Sequence, residues 1–193
     1  MSTYSSNLRL ELITTGTQAG TWGNTTNDNY QYIFEQAITG YITVTTAAAN
    51  EALTYLNGPT STAAANASIR AILALNTSTG ANFAVYAPPS SKLYVIYNAS
   101  AYTATIYNST VAGNTTAAGT GVSIPAGKKV LLRSDGTDIT EQINHVVGDF
   151  SVGSDATIDG DALVNSNFSV VNSATLGTTQ TATISVASPT VIT

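Results

Sequence analysis

The sequence predicts a mainly β chain: a short N-terminal strand plus one helix, a β-sandwich domain, then a β-repeat segment. Three observations predict it. Charged residues make up only 9% of the 193 positions, against about 25% in a typical soluble domain, so Thr, Ser, Asn and Gly must fill the solvent-facing positions. Those residues favour strands, caps and turns over helix interiors. Short alternating runs recur about every 8–12 residues through the middle of the chain, with turn signals between them. Finally, a ten-residue phrase repeats at an offset of 18 residues near the C-terminal end.

Residues 1–40 read as strand, loop and helix. Leu8, Leu10 and Leu12 alternate with Arg9 and Glu11, the period-2 signature of a half-buried strand. Asn24 to Asp28 offer several N-cap residues. Tyr30, Ile33, Phe34, Ala37 and Ile38 follow at i, i+3, i+4, i+7 and i+8, one apolar helical stripe. Gly40 stands where a helix-terminating glycine would. Trp22 lies between Gly20 and Gly23, where Gly23 would let the backbone close on the indole. The expectation is a plug under the helix, with an interface anchor as the alternative. A strand and one helix cannot build a core alone, so this segment must pack on the next domain or on a partner.

Residues 41–146 read as an all-β domain. Candidate strands are Tyr41–Thr46, Glu51–Asn57, Ser68–Leu75, Asn82–Ala87, Leu93–Asn98, Tyr102–Asn108, Gly121–Ile124, Lys128–Ser134 and Thr137–Ile143. Asp135-Gly136 is the strongest hairpin signal, and Pro88-Pro89 and Pro125 mark strand ends. Ala63–Leu75 also fits a helix through Ile69, Ile72 and Leu73; its neighbours favour a strand. Tyr86, Tyr94, Tyr97, Tyr102 and Tyr107 give the domain an aromatic face, suited to core and inter-subunit packing or to stacking on sugars.

Residues 147–193 hold the repeat. Phe150-Ser151-Val152 with Ala156-Thr157-Ile158 returns as Phe168-Ser169-Val170 with Ala174-Thr175-Leu176. Each unit predicts a pair of strands of three or four residues and exposes too few apolar groups for its own core. Association around an axis would let Phe150, Val152, Ile158, Phe168, Val170 and Leu176 of several chains share one. That is the physical case for an oligomeric fibre.

Composition excludes much chemistry. There is no cysteine, hence no disulfide, thiolate site or Cys nucleophile, and one histidine, hence no multi-His metal site. No apolar run approaches the ~18 residues of a membrane span, and Met1–Leu12 lacks a signal-peptide profile. All six bases lie before Asp135 among four acids; from Asp135 onward there are seven acids and no base. Six dispersed bases do not make a nucleic-acid surface. His145 lies near Glu141 and Asp149, but no nucleophile elbow accompanies it. Asp155, Asp159 and Asp161 cluster beside Gly160 without an EF-hand spacing, and acidic turns explain them as well. Gly113–Gly121 lacks the following helix and lysine of a phosphate loop. The sequons at Asn24, Asn66, Asn76, Asn98, Asn108 and Asn114 follow from composition and read as unglycosylated. The expectation is no enzyme, no cofactor and no metal.

The run Asn7–Gly16, followed by Gly20-Thr21-Trp22-Gly23-Asn24-Thr25-Thr26-Asn27 and by Glu35–Tyr41, resembles the N-terminal region of tailed-bacteriophage tail-fibre proteins. Val122–Leu132 with Asp135-Gly136-Thr137 is similar to the β-domain that follows there, and the Phe-Ser-Val repeat to their slender shafts. The resemblance implies a homotrimeric structural protein of the virion. Its N-terminal part would join a tail protein (adaptor, nozzle or baseplate) and so serve host adsorption. Tail-attachment residues would then be Leu8, Leu10, Leu12, Trp22, Tyr30, Ile33 and Phe34, and the six repeat residues would form the trimer core. Neither nucleic acid nor membrane insertion is expected. Host receptor contact would fall to a distal part not in this chain, with the shaft continuing past Thr193. The alternative reading is a carbohydrate-binding β-sandwich module or adhesin.

Overall fold

A computed structural model describes residues 2–143, 145–147, 150–153, 156, 158 and 162–163. Met1–Val147 form one compact unit and Gly148–Thr193 a second. Among the described residues the protein is mainly β, with three sheets and one helix of 18 residues.

The first unit opens with a small antiparallel pair, β1 (Thr3–Tyr4) and β2 (Glu11–Leu12). The helix follows as α1 (Trp22–Asn29), a π turn (Tyr30–Phe34) and α2 (Glu35–Thr39). Nine strands then build two sheets. β3 (Tyr41–Thr46), β5 (Ile72–Thr77), β7 (Ser91–Asn98), β10 (Lys129–Asp135) and β11 (Ile139–Glu141) make a five-stranded sheet in the order β11-β10-β7-β5-β3. β4 (Asn50–Ala52), β6 (Phe83–Ala87), β8 (Ala104–Asn108) and β9 (Val122–Ile124) make a four-stranded sheet in the order β4-β6-β8-β9.

From β3 to β8 the chain alternates between the sheets, and within each sheet these strands run parallel. The backbone therefore coils, laying one strand in each sheet per pass. β9, β10 and β11 close the structure antiparallel to their neighbours. Alternation of apolar residues locates strands but carries no information on their direction, so the two-sheet sandwich was legible and its coiled connection was not. The register sets Ile42, Leu73, Ile96 and Val130 in one inward row. They share a single core with Phe83, Val85, Ile106 and Ile124 of the other sheet. Each such side chain contributes about 1.5–3 kcal/mol on burial.

Two asparagines sew the sheets together. Fully buried Asn98, at the end of β7, donates from Nδ2 to Ile124 O on β9 at 2.8 Å. Fully buried Asn108, on β8, lies 2.9 Å from the Ser134 hydroxyl on β10. Both belong to sequons, and their side chains are committed to the interior.

Several boundaries differ from expectation. The strand predicted over Leu8–Leu12 is only Glu11–Leu12, because Arg9 takes a left-handed backbone (φ 58°) and Ser5 closes the turn by accepting Leu10 N–H on its hydroxyl at 2.9 Å. β4 ends at Ala52, and Leu53 then turns into the core. Ala63–Ile69 is a 3-10 segment with a kink at Asn66, and the strand predicted from Ser68 begins only at Ile72. Its polar supports explain the tight coil. Thr54 Oγ1 accepts Ala67 N–H at 2.8 Å, and the Lys92 ammonium donates to the carbonyls of Ser68, Ile69 and Arg70.

In the second unit, residues 150–153 lie in neither strand nor helix. The strand expected at Phe150-Ser151-Val152 is thus not formed within one chain; a strand needs a hydrogen-bonding neighbour. Phe150 (75% exposed), Val152 and Ile158 are open to solvent. Phe168, Val170 and Leu176 lie outside the described residues, as do Asp149, Asp155, Asp159 and Asp161.

Candidate functional site

The N-terminal hairpin and helix form one docked module, and its fixings are polar. Asn29 is buried and reads one residue of β2 as a neighbouring strand would. Its Nδ2 donates to Glu11 O at 2.8 Å, and its Oδ1 accepts Glu11 N–H at 3.1 Å. Arg9 holds the hairpin to the β-domain. Its guanidinium carbon lies 5.9 Å from the ring centroids of both Tyr4 and Tyr55, and Nε donates to Asn57 Oδ1 at 2.8 Å. The Arg9 carbonyl accepts Gly58 N–H at 2.9 Å. Burial raises the Tyr55 phenol above its ordinary value, and the Arg9 charge offsets part of that rise. Asn7 Oδ1 accepts the Ser91 amide at the start of β7.

Gln36 ties down the other end of the helix. Its carbonyl accepts N–H groups from Gly40 and Ala71, and its side-chain carbonyl accepts Arg70 Nη1. A Cβ on Gly40 would fall 2.4 Å from Gln36 O. Gly40 has an extended backbone (φ −65°, ψ 134°), so glycine is required here by close approach and not by a left-handed helix end. Arg70 is buried with Nε unpartnered. Burial first, and the Arg70 charge second, pull the Lys92 ammonium down to about 7. Its three carbonyl acceptors favour the charged form and oppose that pull.

These bonds decide which side of the helix faces out. Ile33 is completely buried, while Tyr30, Phe34 and Ile38 form an exposed row at i, i+4 and i+8. The predicted five-residue stripe therefore splits between inside and outside. The π turn across Tyr30–Phe34 inserts an extra residue into the helical repeat and rotates the stripe away from one face. Tyr30 and Phe34 stack with centroids 5.7 Å apart.

Trp22 is 61% exposed at the first position of α1, which overturns the plug expectation. Gly23 is helical, and a Cβ there would meet nothing within 4 Å, so it does not bring backbone onto the indole. Leu8 and Leu10 are half-buried and Leu12 is exposed. Leu12 borders a cavity of about 360 Å³ shared with Ser2, Thr14, Thr17 and Gln18. The residues expected for attachment are thus all in one module, but only Leu12, Trp22, Tyr30 and Phe34 are exposed in it. Sequence reasoning missed Arg9, Asn29 and Gln36; two amides and a left-handed arginine leave no periodic signal.

Among the described residues, no group of three or more His, Asp and Glu side chains gathers closely enough to hold a metal ion. No described helix is long and apolar enough to cross a membrane. His145 is exposed. Comparison of the chain with protein-family models, curated proteins and solved structures finds no match in any of the three.

Proposed function

We propose that this chain is a structural, non-enzymatic part of a trimeric phage tail fibre, and that its N-terminal module joins the fibre to a tail protein of the virion. One observation carries this reading. A helix held by hydrogen bonds on its inner side leaves Trp22, Tyr30, Phe34 and Ile38 outward, an apolar surface of the kind that protein partners bury. The trimeric part rests on the repeat, whose Phe150, Val152 and Ile158 find no cover within one chain. A shared axis would bury them threefold.

The test uses the full chain. Tyr30→Ser with Phe34→Ser should leave mass and far-UV spectrum unchanged and abolish incorporation into tails, because both side chains already face solvent. Phe150→Asp should dissociate the trimer on sedimentation, since it sets a charge in the shared core of each copy. A monomeric wild-type mass at micromolar concentration defeats the trimer. Normal tail assembly by the double variant defeats the attachment surface.

A further inference from the structure

The outer face of the four-stranded sheet carries a shallow groove of about 280 Å³ that belongs neither to the N-terminal module nor to the repeat. Its floor is set by the register. Asn50, Ala84 and Thr105 stand side by side across β4, β6 and β8, and Ser123 on β9 continues the row beyond the groove. All four are small or short. The adjacent row rises to Tyr86 and Tyr107, which stack with centroids 5.5 Å apart. Tyr107 is held upright because its ring packs on the backbone of Gly121, where a Cβ would sit 2.4 Å from Cδ1. Asn82 closes the opposite side, with its Oδ1 occupied by the Thr103 amide. A trough one row wide therefore runs across the strands between a tyrosine wall and an amide.

We infer that this groove is a binding site for a neutral saccharide unit. No charged side chain lines it, so it offers nothing to a phosphate, carboxylate or ammonium. Its rim is too polar for a purely apolar ligand. A peptide backbone is disfavoured because β6 and β8 are interior strands, paired on both sides, and have no ladder groups left to offer. Neutral amides, a hydroxyl and phenols, each able to donate or to donate and accept, suit a ligand whose own surface is hydroxyls on a compact ring. Tyr107 is stacked between Tyr86 and Gly121, and Tyr86 is itself buried with one face on Tyr107. The wall therefore contributes ring edges and hydroxyls, not a stacking platform.

The experiment is saturation-transfer NMR on the intact chain with a panel of methyl glycosides at millimolar concentration: glucoside, galactoside, mannoside, rhamnoside and N-acetylglucosaminide. At least one should receive saturation. Ala84→Trp, which fills the trough from an outward position, should abolish it. Asn50→Ala should weaken binding several-fold without affecting the fold, because the structure gives the Asn50 side chain no partner. Tyr97→Ala, on the other sheet, should leave binding unchanged. Silence from all five glycosides overturns the assignment, as does equal binding by Ala84→Trp. Tail assembly plays no part in this readout, so attachment and the groove can fail independently.

Discussion

Replacing Asn98 should cost the β-domain more than any surface change, and the structure allows the loss to be estimated. Its side chain makes four hydrogen bonds. Nδ2 donates to Tyr102 O (2.7 Å) and Ile124 O (2.8 Å), and Oδ1 accepts from the Ser100 amide (3.1 Å) and hydroxyl (2.8 Å). In Asn98→Ala the Ser100 hydroxyl can still serve Tyr102 O, which it already reaches at 2.9 Å. Two groups then lose the Asn98 partner: the carbonyl of buried Ile124 and the Ser100 amide. At about 1–3 kcal/mol for each orphaned group, the loss is about 2–6 kcal/mol. With a urea m-value of about 1–3 kcal/mol/M, the unfolding midpoint should fall by about 1 M or more. Asn98→Asp keeps the shape but points a carboxylate at two carbonyl oxygens, and should be worse than alanine. Asn98→Leu matches Leu75, its register partner on β5, and restores apolar burial but not the bonds. Urea unfolding of the three variants refutes the reasoning if Asn98→Ala costs less than about 1 kcal/mol or if Asn98→Asp is as stable as wild type.

Lys92 gives a pH prediction. The folded chain releases its proton near 7, whereas the unfolded chain keeps it to about 10.5. Between those values the unfolded state binds the extra proton, so this group makes stability rise with pH; below about 7 both states are protonated and its contribution is flat at its lowest. Melting temperature should climb across that window in wild type and not in Lys92→Met. For Arg9, the two cation–π contacts and the bond to Asn57 together contribute about 2 kcal/mol at a partly exposed site. Arg9→Ala should therefore speed hydrogen exchange at the Leu10 and Glu11 amides without lowering the global midpoint to match; unchanged exchange at both would remove Arg9 from the docking.

The nine strands of the two main sheets could be found from the sequence, most of them because alternation reports burial and β5 from the spacing of its neighbours. Tyr94 and Ile96 face the core, while Leu93 and Val95 face out, as spacing alone dictates. Connection order was hidden for the same reason, since a strand reads alike in a hairpin and in a coil. The helix was legible as a periodic stripe, but its orientation was not. A π turn and two side-chain amides decide that, and neither alters the hydropathy pattern. The Ala63–Ile69 segment escaped because its conformation depends on Lys92 and Thr54, distant in sequence. Trp22 was misplaced because a glycine neighbour suggests close approach, and Gly23 proved an ordinary helical residue.

The way the N-terminal module is fastened bears on what it does. Segments docked only to complete a core bury apolar surface and leave polar groups outside, since apolar burial supplies most of the driving force. Here Asn7, Arg9, Asn29 and Gln36 make specific hydrogen bonds that hold the module together and to the β-domain, and Trp22, Tyr30, Phe34 and Ile38 remain in water. Hydrogen bonds add about 1 kcal/mol net apiece but are directional, so they fix orientation better than they add stability. Gly40 then passes that orientation on: no other residue fits against Gln36 O, and the next residue begins β3, the first strand of the coil. The helix is thereby held at a set angle to the sheets with Ile33 inside and the row of Tyr30, Phe34 and Ile38 outward, the arrangement expected of a surface that must meet a partner in one geometry.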